Sequence, residues 1–150
     1  MTRIDFHTNI ADKLSYACRL ARKAHGARGK LVLLAQDAQQ AAALNTALWT
    51  VSDTDFLPHV MAGDALAAHT PIIVAHAGLF ATAEQAANPG LPHFDMLVNL
   101  TRDTPALVDR FARVFEIIST DEDDAAAGRK RYLAYKQQAY PLTHFVAGQT

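Results

Sequence analysis

The sequence predicts an α/β fold: one largely parallel β-sheet with helices on both faces. Three observations carry that expectation. Short apolar runs recur at residues 31–35, 71–76 and 94–100, each too brief for a helix. Segments of helical period stand between or beside them, which is the alternation of a layered α/β domain. The chain is 150 residues long and 50% apolar, enough to bury one core and the length of one domain.

Residues 4–8 read as the first strand, followed by a helix from about Asn9 or Asp12 to His25. Within it Leu14, Ala17, Cys18 and Ala21 recur at i, i+3, i+4 and i+7 and so share one face. Gly26 supplies the stop. Residues 31–35 form a continuous apolar run, the mark of a strand buried on both faces. The Ala-rich segment 37–49 follows as a helix capped near Asp37. Residues 56–60 read as a short strand that Pro58 confines to an edge or a bulge. Residues 71–76 and 94–100 are further buried strands. The segments 63–69 and 78–91 read as loops, the second holding the turn Asn88-Pro89-Gly90. Thr104 and Pro105 suit the cap and first position of a helix running through Leu107, Phe111 and Val114. Residues 114–118 either finish that helix or form a last strand. From Asp121 an acidic start and a basic end suit the dipole of a final helix, ending near Tyr140.

Charge and cysteine usage narrow the function classes. With 14 Lys and Arg against 15 Asp and Glu, the net charge of −1 excludes coating nucleic acid by bulk charge, which needs a basic excess to release counterions. Cys18 is the single cysteine, so a disulfide framework or a multi-cysteine zinc site is excluded and a reducing cytosol fits. No stretch reaches the roughly 18 apolar residues of a membrane helix, and the N-terminus lacks a signal-peptide pattern. A cytoplasmic protein without membrane contact is expected.

Catalytic signatures are missing where they would be sought. Gly26-Ala27-Arg28-Gly29-Lys30 follows a helix and precedes a strand, whereas a phosphate loop needs the opposite order so that a helix N-terminus faces the anion. No GxGxxG occurs, and Ser15, Ser52 and Ser119 lack a nucleophile-elbow setting. His7, His25, His59, His69, His76, His93 and His144 form neither HExxH nor an i, i+4 pair. Asp5 and His7 share a strand face and read as ordinary surface groups. The run 121–124 lacks the spaced ligands and glycine of a calcium loop. Arg19, Arg22, Lys23, Arg28 and Lys30 form a basic cluster with no aromatic interleaved to stack bases, so a solvated surface is expected, with a weak direct contact with single-stranded nucleic acid as the lesser reading. No metal and no cofactor follow from these residues.

Two constellations stand out. One runs from Leu44-Asn45-Thr46-Ala47-Leu48-Trp49 to Phe56-Leu57-Pro58-His59 and Ala62-Gly63. Phe56 and Leu57 are adjacent, so in a strand they point to opposite faces and one must leave the buried side. It is then either core or an aromatic anchor for a partner. The other is Arg129-Lys130-Arg131-Tyr132-Leu133-Ala134-Tyr135-Lys136, in which Arg129, Tyr132 and Lys136 fall three and four apart and make a cationic stripe with an aromatic floor. An anion with an apolar end would suit that stripe.

At these two segments the sequence resembles the chi subunit of bacterial DNA polymerase III holoenzyme. The resemblance runs in order over most of the chain: the initial strand and helix, the Ala47-Leu48-Trp49 to Phe56-Leu57-Pro58-His59 block, and Arg129-x-Arg131-Tyr132-x-Ala134-Tyr135. It implies a single domain over residues 1–150, a Rossmann-like three-layer sandwich whose sheet is largely parallel but mixed, with no catalytic activity of its own. It also implies binding of the acidic C-terminal tail of single-stranded DNA-binding protein, and of the psi subunit of the clamp loader or a helicase through a second surface. Nucleic acid would be met mainly through single-stranded DNA-binding protein, and the chain would be a monomer or one half of a heterodimer. Carried over by position, the tail site is Ile118, Arg129, Tyr132 and Lys136, with Leu133 alongside and Trp49 nearby. Phe56 and Leu57 mark the psi or helicase surface. Ala125 and Leu133 stand where the family can show a basic residue. The competing expectation is a nucleotide-dependent enzyme on the same α/β scaffold.

Overall fold

A computed structural model describes residues 2–50 and 57–148. In chain order these form β1 (Arg3–Ile10), α1 (Lys13–Gly26), β2 (Leu31–Ala35), α2 (Ala38–Thr50), β3 (His59–Met61), β4 (Ile72–His76), α3 (Ala83–Ala87), β5 (Met96–Asn99), β6 (Arg113–Ser119), α4 (Glu122–Gln137) and β7 (Leu142–Val146). The strands make one sheet in the order β3-β4-β2-β5-β6-β1-β7. Every described pairing is parallel, so the sheet is not mixed.

Parallel strands need crossovers, and the crossovers cover both faces. On one face Ala17, Cys18 and Ala21 of α1 and Ala41, Leu44 and Leu48 of α2 pack on Leu31, Leu33, Val74, Val98 and Ile117. On the other, Tyr135 of α4 joins Leu107, Val108 and Phe111 on Ile4, Phe6, Val32, Ile73 and Val114. All five residues of β2 are buried, as a strand covered on both sides requires. Asp12 settles the start of α1, its side chain accepting from the Leu14 and Ser15 amides. Asn9 takes a left-handed φ of 61° where β1 loses register against β6.

Four sequence expectations are corrected. No helix runs from Thr104 to Val114: residues 108–110 form one 3-10 turn, and Phe111 is extended with φ −93° and ψ 145°. The spacing of Leu107, Phe111 and Val114 imitates a helix. Val114 to Ile118, however, is apolar apart from Glu116 and largely β-branched, and it is taken by β6 between β5 and β1. The segment 78–91 is not all loop, because Thr82 and Gln85 close a capping box that starts α3. Residues 67–69 likewise form a 3-10 turn in the segment 63–69. The edge strand at Pro58 begins after the proline, at His59, and β7 at the opposite edge is an additional strand. Among the described residues no helix is long and apolar enough to cross a membrane.

Candidate functional site

A cavity of about 630 Å³ lies between α4 and the β6, β1 and β7 strands. Its α4 wall carries Ala125, Arg129, Tyr132 and Leu133, and its sheet wall carries Phe6, Thr8, Ile118 and His144. Gly128 explains how close the walls come. A Cβ there would stand 2.7 Å from Ile118 Cδ1 and 3.0 Å from both Cγ atoms, so a side chain would force Ile118 or α4 to shift. Tyr132 is fixed edge-on against Phe6, with ring centroids 5.1 Å apart, and its other side tilts toward His144 at 6.3 Å. His144 Nε2 is 2.8 Å from Thr8 Oγ1. Leu133 is 58% exposed at the rim, and Arg129 is exposed beside it. The result is an apolar slot with an aromatic floor and a guanidinium at its mouth, suited to an anion attached to an apolar group.

The structure thus brings Ile118, Arg129, Tyr132 and Leu133 together. Lys136 lies one turn beyond Tyr132 on the same stripe, exposed and outside the cavity lining. Trp49 does not join them. It ends α2, stacks edge-on against His59 at 4.7 Å, and so sits beside β3, at the opposite edge of the sheet from β7. Leu57 is core: it is buried among the α1 and α2 residues, so its side chain is not part of a partner surface. Phe56 lies outside the described residues.

Beneath the stripe is a buried polar network that sequence reasoning missed. Glu116 on β6 is wholly buried and accepts from Arg131 Nε (3.2 Å) and Nη2 (3.1 Å), Asn99 Nδ2 (2.8 Å) and the Tyr135 hydroxyl (2.7 Å). Arg131 also donates to the Arg102 carbonyl at 2.8 Å, and the Thr101 hydroxyl donates to Asn99 Oδ1 at 2.7 Å. Burial pushes the Glu116 carboxyl above its ordinary value, against the pull of Arg131, Tyr135 and Asn99. Arg131 and Tyr135 are four apart on the inward face of α4, so this network sets the rotation that turns Arg129 and Tyr132 toward the groove. The only sequence signal was a glutamate in an otherwise apolar strand.

A second tie holds the start of α4. Asp124 accepts from Lys13 Nζ at 2.8 Å and from the Ser119 amide at 2.7 Å. Burial raises the Asp124 carboxyl, but those donors outweigh it and leave it below the usual range. Lys13 is also lowered, because its desolvation exceeds what Asp124 returns. The pair therefore favours the carboxylate at a cost to the ammonium, which discounts its net worth.

The remaining sequence candidates are accounted for structurally. Residues 27–30 join α1 to β2 as a turn, with Arg28 at φ 61°. Asp5 is buried, not a surface group, and accepts from Arg3, Arg113 and Thr143, while His7 is bonded to the Tyr16 hydroxyl. Among the described residues no group of three or more His, Cys, Asp or Glu is placed to hold a metal.

Comparisons with known proteins bear on the family and the fold. A curated relative, DNA polymerase III subunit chi of Pseudomonas aeruginosa, is 32% identical over 146 residues, covering 95% of this chain and 94% of its own. The protein of the same name from Haemophilus influenzae is 24% identical over 127 residues, covering 85% and 82%. The crystal structure of T4 UvsW superposes with a TM-score of 0.66 over 97% of this chain but only 41% of that one. At 11% identity that likeness speaks to the α/β fold alone. A family model described as DNA polymerase III chi subunit, HolC, matches residues 1–143, a span that takes in α4 and the buried network and stops after the first two residues of β7, short of His144. The chain belongs to the chi subunit family of DNA polymerase III, proteins of DNA replication.

Proposed function

We propose that this chain is a non-catalytic accessory subunit of the replisome in the cytoplasm, binding the acidic C-terminal tail of single-stranded DNA-binding protein in the α4 groove. Through a surface that includes Phe56 it joins that protein to the psi subunit of the clamp loader, or to a helicase. The observation that supports the tail site is the Arg129 guanidinium at the mouth of a slot floored by Tyr132 and Ile118. A tail that ends in acidic residues and an apolar aromatic one needs both parts. Its terminal carboxylate takes the guanidinium fork, and its ring takes the slot. Lys136 prolongs the cationic stripe toward the acidic residues upstream. The nucleotide-dependent alternative is not favoured, since residues 26–30 have the wrong order for a phosphate loop and the family is one of replication subunits.

Titration of a labelled tail peptide at two salt concentrations tests this. A small groove of this kind gives micromolar affinity, about 8 kcal/mol, that falls with salt. Tyr132→Ala is expected to weaken binding about tenfold with the salt slope unchanged, because it removes apolar contact and no charge. Equal binding by wild type and Tyr132→Ala would remove the groove from consideration. ATP, GTP and NAD are expected to leave the melting temperature unmoved while the peptide raises it, since a ligand of the folded state stabilises that state.

Phe56→Ala is expected to lose psi or the helicase while keeping the fold and the tail interaction. An exposed aromatic hot spot costs about 2 kcal/mol when truncated, roughly thirtyfold in affinity. Unfolding of the variant would place Phe56 in the core with Leu57 and end the docking claim.

A further inference from the structure

We infer that the open face of β1 and β7, on the side away from α4, is a contact surface for single-stranded nucleic acid. Side chains alternate across a sheet. Phe6, Thr8 and His144 serve the groove, so Asp5, His7, Thr143 and Phe145 point the other way. On that side α1 packs over β2 and β6, and the β7 edge is left bare: Phe145 is 53% exposed. His7 stands at the centre of a ring cluster, with centroids 5.4 Å from Tyr16, 5.6 Å from Phe115 and 5.6 Å from Phe145; Phe115 is buried beneath it, His7 and Tyr16 are half-buried, and Phe145 is the exposed ring.

Cations are interleaved with these rings. Arg19 lies over Tyr16 at 5.3 Å and Arg113 over Phe115 at 4.6 Å. Tyr16, Arg19, Leu20 and Lys23 fall three and four apart on α1 and so form a rim along this face. Lys23 and Arg113 both bear on His7, which burial first and these two cations next hold below its ordinary pKa against the pull of Asp5. The imidazole is therefore neutral near pH 7 and offers a ring face. Asp5, the carboxylate on these strand positions, is buried and bonded to Arg3, Arg113 and Thr143, so it does not repel an anion.

That combination selects the occupant. An apolar protein segment would bury Arg19 and Lys23 without bringing a counter-charge, Arg113 being already paired with Asp5, and that costs more than the rings return. An acidic peptide would satisfy the cations and leave the rings uncovered. A single strand supplies a phosphate and a flat base at every repeat, which is the pairing of cationic track and stacking platform that sequence-tolerant binders use. The aromatics come from β1, β6, β7 and the start of α1, far apart in sequence. The basic cluster read along the chain therefore looked as though it lacked them.

Fluorescence anisotropy of a labelled oligo-dT of about 15 nucleotides with the full chain, between roughly 20 and 200 mM salt, tests the surface. Weak binding is expected at low salt, with log K falling against log salt by about 2, the slope of three phosphate contacts at about 0.7 each. Joint Arg19→Glu and Lys23→Glu substitution should weaken binding tenfold or more and flatten the slope. Phe145→Ala should weaken it about fivefold or more with the slope kept, since stacking carries no charge. Arg129→Glu, in the groove, should leave it unchanged, so failure here is distinct from failure of the tail site. Absence of binding at low salt overturns the inference. So does binding indifferent to Phe145→Ala, which is charge adhesion alone, or displacement of the oligonucleotide by an equal concentration of an acidic peptide.

Discussion

Glu116→Ala should destabilise the fold by about 3–5 kcal/mol, the cost of leaving a buried charge without its partner. Arg131 is buried and gives Glu116 two of its donors, and Tyr135 and Asn99 direct theirs to the same carboxylate. Removing the carboxylate strands the Tyr135 hydroxyl and takes one acceptor from Asn99 and the counter-ion from Arg131, which keep only the Asp103 and Arg102 carbonyls. Against a typical domain stability of about 5–15 kcal/mol, that loss brings the protein near its unfolding threshold. Glu116→Gln should cost less, because an amide oxygen still accepts from Tyr135 or Asn99 while the guanidinium loses its counter-ion. Joint Glu116→Leu and Arg131→Met substitution should recover part of the loss, since removing both charges leaves only neutral groups unpaired. Urea denaturation of the four proteins checks the order. A cost under about 1 kcal/mol for Glu116→Ala would mean that water already reaches this carboxylate and that the network does not fix α4.

That network also shows where the sequence was legible. Period and run length located β2, β4, β5, α1 and α2, because each is decided by its own apolar pattern. The residues 104–114 misled, since apolar positions four and three apart serve a helix or a turn feeding a strand equally well. Only the place of β6 between β5 and β1 decides between them. At the site, Arg129 and Tyr132 were readable because one helix presents them at helical spacing. Phe6, Thr8 and His144 were not, because β1 and β7 meet only in the folded sheet. Trp49 was drawn to the groove by the resemblance alone, and the strand order parts them. Leu57 and Phe56 could not be told apart by alternation, which says that one of them is buried and not which.

Arg129→Glu should abolish measurable tail binding, with a larger effect than Arg129→Ala. Truncation removes charge-assisted hydrogen bonds to a carboxylate, each about 1.5–3 kcal/mol, or roughly ten- to a hundredfold in affinity. Reversal removes the same bonds and adds repulsion between two carboxylates at the mouth of the slot, and it does so in a chain whose residues 121–124 are already acidic. Ala125 and Leu133 provide no neighbouring cation to compensate, so Lys136 is left as the positive charge on the stripe. Starting from micromolar affinity, a loss of up to about a hundredfold and a further tenfold bring the complex to about millimolar. The Ala variant should still bind, with a shallower salt dependence because one screened contact is gone. Arg129→Lys should fall between wild type and Ala, keeping the charge but not the planar fork. Arg129 is exposed, so all three variants should melt like the wild type, and loss of binding in them is loss of the site. Peptide titration of the four proteins at two salt concentrations decides it: undiminished binding by Arg129→Glu, with the melting temperature intact, would show that the tail is held elsewhere.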